Sequence, residues 1–129
     1  MKKADTGIIT KFSLGGTIMP TNRNQIRADA IELAVMVNKV LKNIKDKNFY
    51  VEQMQKSLVL IGSNITSLRN LRDEISIVRR INIAIDACSE LMFIAKLLSV
   101  EELISDEDYK LIKKNVQSIE RRMISSLSD

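Results

Sequence analysis

The sequence predicts an all-α protein, an up-down-up-down four-helix bundle. Apolar residues recur at helical spacing in four consecutive segments after residue 24. The 129 residues hold only four glycines and one proline, too few for a β-sandwich or barrel with a turn about every 8 to 12 residues. The hydrophobic content of 45% is enough to fill a core, and the aromatic content of 4% means that this core is mainly aliphatic.

The chain divides by composition into an arm, residues 1–24, and a bundle, residues 25–129. The arm holds three of the four glycines and the single proline, so we expect it to be flexible and to lie outside the core. It carries four basic residues against one acidic residue, whereas the bundle carries 16 against 15. The net charge of +4 is therefore concentrated in the arm, and a role for charge in the bundle depends on local clustering.

The first two predicted helices are separated by a turn at residues 46–48. The first begins near Asn22 or Asn24, because either side chain can cap the amides of the first turn. The second runs from about Phe49 to Ser67. Gly62 lies inside it, at a cost of roughly 1 kcal/mol relative to alanine. This cost predicts that another backbone approaches closely at that point.

The third predicted helix covers about residues 70–99, and an acidic turn leads into the fourth. Ser105 is a suitable N-cap for the fourth helix, and the three acidic residues that follow it would face the positive end of the helix dipole. This helix ends near Ser126. Its apolar residues recur at steps of three and four, which places them on one stripe: Tyr109, Ile112, Val116, Ile119 and Met123.

Two segments are more apolar than one bundle face requires. Residues 58–61 are four consecutive apolar residues, and residues 91–95 are apolar all round a predicted helix. A helix that is apolar all round is expected to be buried on every side, which contacts between subunits would achieve. The sequence therefore predicts a homo-oligomer whose interface includes Leu58, Val59, Leu60, Met92, Phe93 and Ile94.

The residue types exclude most catalytic chemistry. The chain has no histidine and a single cysteine, Cys88, so we predict no metal site, no cofactor and no intrachain disulfide. No nucleophile is paired with a base, and Gly15-Gly16 precedes no Lys-Ser or Lys-Thr of a phosphate loop. We therefore predict a protein that is not an enzyme. The lone cysteine and the lack of a long apolar run predict a cytoplasmic protein that does not span a membrane.

Basic residues are the remaining candidates for a binding site. Arrays of cations bind phosphate backbones because each neutralised phosphate releases counterions. The competing interpretation is an ordinary solvated face, since Asp73, Glu74 and Glu120 are interleaved with the basic residues. The candidate nucleic-acid contacts are Arg69, Arg72, Arg79, Arg80, Lys110, Lys113, Lys114, Arg121 and Arg122.

Three segments resemble a family of bacterial four-helix-bundle proteins. Gly62-Ser-Asn-Ile-Thr-Ser67 is similar to the second helix of that family, and Arg80-Ile-Asn-Ile-Ala-Ile-Asp-Ala-Cys-Ser-Glu-Leu91 is similar to the third. Leu103-Ile-Ser-Asp-Glu-Asp-Tyr109 resembles the turn before the fourth. The resemblance covers roughly Ile31 to Leu127. The family includes proteins encoded in ribosomal RNA intervening sequences and the accessory variability determinants of diversity-generating retroelements.

The resemblance implies a ring, typically a homopentamer, without catalysis. Its retroelement branch implies binding to RNA or DNA and to a reverse transcriptase. The bundle of this chain is less basic than that branch usually is, and the arm has no counterpart in the family. Two functions therefore stay open: a nucleic-acid-binding accessory protein beside a reverse transcriptase, and a structural or protein-interaction bundle of the intervening-sequence type.

Overall fold

Four antiparallel helices form the bundle in a computed structural model that describes residues 21–45 and 49–127. The predicted arm lies outside these residues, apart from its last four positions, which belong to the first helix. The helices are α1 (Thr21–Leu41), α2 (Phe49–Ser67), α3 (Glu74–Val100) and α4 (Asp106–Ser126). A short 3-10 turn, Leu68–Asn70, follows α2. Each helix packs against the helix that precedes or follows it in the chain, and α1 also packs against α4, which closes the bundle. The predicted all-α four-helix bundle is confirmed.

Local capping explains where α3 and α4 begin. The Asp73 carboxylate accepts a hydrogen bond from the Ser76 amide at 3.0 Å, and Ser105 Oγ accepts one from the Asp108 amide at 3.0 Å. Each bond satisfies one of the free amides of a first turn. The N-cap predicted at Ser105 is confirmed. The third helix begins four residues later than predicted, because the 3-10 turn and Asp73 interrupt the helical path.

The C-terminus of α3 closes with a left-handed residue, Glu102, at φ 61°. The Glu102 amide donates to the Ser99 carbonyl at 3.0 Å, and the Leu103 amide donates to the Leu98 carbonyl at 2.8 Å. This pair of bonds is a Schellman motif, which usually has glycine at the left-handed position. The motif reverses the chain within the short acidic turn that leads into α4.

The core is aliphatic, as the composition predicted. The predicted stripe of α4 is buried at Ile112, Val116, Ile119 and Met123, and Tyr109 is half-buried beside it. Cys88 is fully buried in the same core. Ile75 departs from the predicted stripe of α3, since 73% of its surface is exposed. It belongs to the first turn of α3, two residues after the N-cap.

Two further predictions are corrected by the packing. Leu58 and Ile94, both predicted at a subunit interface, are buried in the core of the single chain. The apolar run of α3 leaves 66% of the Phe93 surface exposed in the single chain, which is surface that the predicted contacts between subunits would cover. Gly62 has no close backbone neighbour among the described residues, since a Cβ atom placed there would contact none of them within 4 Å. Its position inside α2 therefore has no packing reason within one chain.

Candidate nucleic-acid interface

All eight arginines of the chain lie at one end of the bundle. They belong to the first half of α1, the end of α2 with the turn after it, the first half of α3 and the second half of α4. Antiparallel packing brings these four segments together. We call this region the arginine end and define it by Arg23, Arg27, Arg69, Arg72, Arg79, Arg80, Arg121 and Arg122.

Three side-chain contacts fix this arrangement across the helices. Arg23 Nη1 donates to the Leu68 carbonyl at 3.3 Å and so joins the start of α1 to the end of α2. Arg80 Nη1 donates to Asn64 Oδ1 at 3.1 Å and joins α3 to α2. The Asn64 amide nitrogen in turn donates to the Leu60 carbonyl at 2.8 Å, which holds this buried side chain in place.

The third contact joins α4 to α1. Arg122 Nε lies 2.8 Å from Asp29 Oδ2, and the Asp29 side chain is only 18% exposed. The contact is an ion pair without good hydrogen-bond geometry, since Asp29 Oδ2 has no hydrogen-bond partner among the described residues. Asp29 Oδ1 accepts from Gln25 Nε2 at 2.9 Å on the same helix. This carboxylate is therefore engaged on the α4 side of α1.

The remaining arginines are available for a ligand. Arg27, Arg69, Arg72 and Arg121 are exposed, and they make no hydrogen bond or ion pair with any described residue. Arg79 is exposed and acts through space on Asp73, whose pKa is lowered mainly by the Ser76 amide and to a smaller extent by the Arg79 charge. Tethered and free guanidinium groups thus share one end of the molecule.

The charge balance differs between the two halves of the described bundle. The arginine half holds eight arginines against five carboxylates, a net charge of +3. The opposite half holds eight lysines against eight carboxylates, a net charge of zero. The positive field of the bundle therefore comes from the arginine end, where bidentate guanidinium groups suit phosphate oxygens.

Six of the nine predicted nucleic-acid residues meet at the arginine end, and three do not. Lys110, Lys113 and Lys114 lie in the first half of α4, and Lys110 is about 18 Å along the helix from Arg122. Lys110 Nζ pairs with Asp106 Oδ2 at 3.0 Å, although both side chains are largely exposed. Nearby, the Lys96 ammonium lies 5.1 Å from the centre of the Tyr109 ring.

Sequence reasoning missed Arg23 and Arg27. Arg23 falls in the predicted arm and Arg27 at the start of the predicted bundle, and neither was among the candidate contacts. In an up-down bundle the start of the first helix meets the end of the second. That topology was available from the sequence and could have connected both residues with Arg69.

The predicted interface residues lie on the outer faces of α2 and α3. Val59 and Leu60 are neighbours on α2, and 67% and 43% of their surfaces are exposed. Phe93 is exposed on α3, and Met92 is half-buried against the core. With Leu58 and Ile94 assigned to the core, these four residues are the part of the predicted interface that another molecule could contact.

Comparison with known proteins supports the fold. The chain is similar to a crystal structure of a protein of unknown function from the S23 ribosomal protein family of Bacteroides thetaiotaomicron VPI-5482. The two share 26% sequence identity with a TM-score of 0.76, over 84% of this chain and 99% of that one. No family model and no curated protein matches the sequence. Among the described helices, none has the length and apolar character needed to cross a membrane.

Proposed function

We propose that this protein is a non-catalytic, oligomeric nucleic-acid-binding protein that contacts the phosphate backbone through its arginine end. The observation that carries the proposal is the collection of all eight arginines at one end, with a net charge of +3 over that half. Recognition of this kind follows charge and shape, and it is therefore expected to be insensitive to base sequence. It is also expected to weaken steeply as salt rises.

Self-association would strengthen such binding. Val59, Leu60 and Phe93 offer exposed apolar surface on the outer faces of α2 and α3, so an assembly through them would leave the arginines at the end of the bundle accessible. A ring, which the family resemblance predicts to be a pentamer, would repeat the arginine end around its axis. Several weak contacts on one assembly would then add through avidity.

The host process is the finer part of the proposal. The family resemblance supports an accessory role beside the reverse transcriptase of a diversity-generating retroelement. A reverse-transcriptase gene next to this one, followed by co-purification of the two products, would support that role. Co-expression that gives no complex with the neighbouring reverse transcriptase would contradict it.

A second function is favoured by the structural neighbour. Its S23 ribosomal protein family name supports a structural or protein-interaction bundle of the intervening-sequence type. Such a protein would not need free arginines at one end. The binding experiment below distinguishes the two functions.

The test compares two charge reversals that change the net charge equally. One variant carries Arg69→Glu and Arg72→Glu, and the matched control carries Lys113→Glu and Lys114→Glu at the other half of the bundle. All four side chains are exposed and make no hydrogen bond or ion pair with described residues. Affinity for a structured RNA and for duplex DNA is measured at about 50 and 200 mM salt, where phosphate contacts weaken strongly.

The arginine variant is expected to lose most of its affinity at low salt, and the lysine variant to keep most of it. Each lost phosphate contact should also reduce the salt slope by about 1. Equal losses in both variants would show that net charge alone attracts the nucleic acid. Absence of wild-type binding at about 50 mM salt would leave the structural bundle as the better function.

A further inference from the structure

A small cavity at the arginine end is lined by three arginines. Arg23 and Arg27 come from α1, and Arg69 comes from the 3-10 turn after α2. The cavity has a volume of about 70 Å³, and Ile65 and Leu68 form its apolar part. That volume is enough for a few water molecules or one tetrahedral oxyanion. The cavity is concave, whereas the other arginines nearby lie on convex helix faces.

The polar groups around the cavity are almost all hydrogen-bond donors. The lining also includes the Asn24 amide and the Thr66 hydroxyl, and none of the described residues that line the cavity carries a carboxylate. Asp29, the nearest acidic residue of α1 in sequence, is engaged by Gln25 and Arg122 instead. The positive charge of the cavity therefore has no acidic counterpart in its lining.

Helix capping accounts for one of the three arginines only. Arg23 donates to the Leu68 carbonyl of the 3-10 turn after α2, which also accepts from the Leu71 amide. Arg27 and Arg69 make no such bond with any described residue. Their guanidinium groups keep all their donors for a ligand.

The position of two arginines at the start of α1 is unfavourable for the helix itself. Arg23 and Arg27 lie in its first two turns, and its first turn has no acidic residue. A cation in the first turn opposes the helix dipole, and because this effect fades beyond that turn it concerns Arg23 more than Arg27. A bound anion would remove this cost, because it would interact favourably with both the guanidinium groups and the dipole.

We propose that the cavity between Arg23, Arg27 and Arg69 binds a single phosphate group. The cavity would be one defined phosphate site within the proposed nucleic-acid interface. Its biological role therefore rests on the proposed function. The guanidinium groups supply charge-assisted hydrogen bonds to the phosphate oxygens. Asn24 and Thr66 supply neutral donors at the rim. The phosphate belongs either to a nucleic-acid backbone or to a free phosphate compound.

The experiment titrates the full-length protein with inorganic phosphate at constant ionic strength, with chloride as the balancing anion. The arginine Nε–Hε resonances are followed by two-dimensional nuclear magnetic resonance. Saturable shifts are expected at Arg23, Arg27 and Arg69. Arg121 is the matched control, because it is also exposed and unpaired at the same end but does not line the cavity. Its resonance is expected to stay in place.

Variants then separate a site from a general field. Arg27→Gln is expected to weaken phosphate binding roughly tenfold or more, which is the effect of losing one or two hydrogen bonds to a charged group. Arg27→Lys keeps the charge but loses the planar fork, so an intermediate loss is expected. Arg121→Gln is expected to leave phosphate binding unchanged. Thermal melts of each variant report whether it is folded.

Three results would overturn the site. They are shifts that stay linear with phosphate concentration, shifts of equal size at Arg121, and equal losses for Arg27→Gln and Arg121→Gln. Competition with an oligonucleotide that carries backbone phosphates but no terminal phosphate identifies the source of the phosphate. Displacement of bound phosphate assigns the site to the backbone, and simultaneous binding assigns it to a free phosphate compound.

The site and the proposed function fail separately. Loss of nucleic-acid binding in the Arg69/Arg72 reversal, together with no phosphate binding, would remove the site and keep the function. Saturable phosphate binding without any nucleic-acid binding would keep the site and contradict the proposed function.

Discussion

Burial raises the pKa of two titratable side chains, Cys88 on α3 and Glu120 on α4, and the Glu120 charge acts on the thiol. Burial raises the pKa of the Cys88 thiol to about 12, and the Glu120 charge adds to this shift. Burial also raises the pKa of Glu120 above its usual range. Among the described residues, no cation lowers either pKa. At the residue scale the fold therefore keeps its lone thiol protonated and its nearby carboxylate under a desolvation penalty.

Cys88 is expected to be inert toward a thiol reagent in the native protein. A thiol with a pKa of about 12 holds almost no thiolate at pH 8, and the side chain is fully buried. The measurement is reaction with a chromogenic disulfide at pH 8, before and after denaturation. Because the chain has one cysteine, the signal reports Cys88 alone. Full reaction should appear only after unfolding exposes it. Rapid stoichiometric labelling of the native protein would contradict the burial of this thiol.

Glu120→Gln is expected to raise the melting temperature at pH 7. The folded protein must carry a partly desolvated carboxylate, so its pKa is raised relative to the unfolded chain. The advantage of the neutral glutamine is therefore greatest above the folded pKa. It should shrink as pH falls through that value and vanish below the ordinary value of about 4.5. Melts at several pH values measure this. A stabilisation that persists unchanged at pH 3 would exclude the charge as its cause.

At the scale of single elements, the capping side chains determined where the helices begin. The fourth helix begins and ends where its N-cap and apolar stripe predicted, and the second has the predicted bounds, Phe49–Ser67. The start of α3 differed because Asp73, three residues beyond the predicted start, supplies the capping carboxylate and the helix begins at Glu74. Hydrophobic spacing alone places a stripe, whereas the capping side chain selects the residue at which the helix begins.

Glu102→Gly is expected to stabilise the protein. Glu102 occupies a left-handed conformation, which costs a non-glycine residue roughly 1 kcal/mol or more. Glycine removes this strain, although its greater freedom in the unfolded chain offsets part of the gain. Glu101→Gly is the matched control, since Glu101 has φ −82° and gains nothing from glycine. Thermal melts should rise for the first variant and fall for the second. A fall in both would show that the turn is not strained.

At the scale of the whole molecule, the fold separates two kinds of surface. The arginines collect at one end, and exposed apolar residues such as Val59 and Phe93 lie on the outer faces of α2 and α3. Neither collection is continuous in the sequence. Four antiparallel helices bring distant segments side by side, so small groups of residues from each helix combine into surfaces with distinct chemistry.

The protein is expected to form a homo-oligomer through this outer apolar surface. Val59→Glu combined with Leu60→Glu should dissociate it, because both side chains are exposed in the single chain and would face a partner. Lys113→Glu with Lys114→Glu on α4 serves as the control, because both side chains are exposed and lie on a helix outside this surface. Light scattering at micromolar concentration measures the mass. A clean mass of 14.6 kDa for the wild type would contradict the oligomer, and a variant that assembles like the wild type would exclude this surface as its interface.

The sequence by itself determined the fold class, most helix bounds and the lack of histidine and paired nucleophiles. These follow from local spacing, capping and composition, each of which acts over a few residues. Only the tertiary structure decided which charges share a surface. Lys110 and Arg122 lie on one helix, yet they belong to opposite ends of the bundle, and Arg27 meets Arg69 across 42 residues of chain. Packing also decided that Leu58 and Ile94 are core while Phe93 is exposed. A helix that is apolar all round has no preferred face until its neighbours cover one.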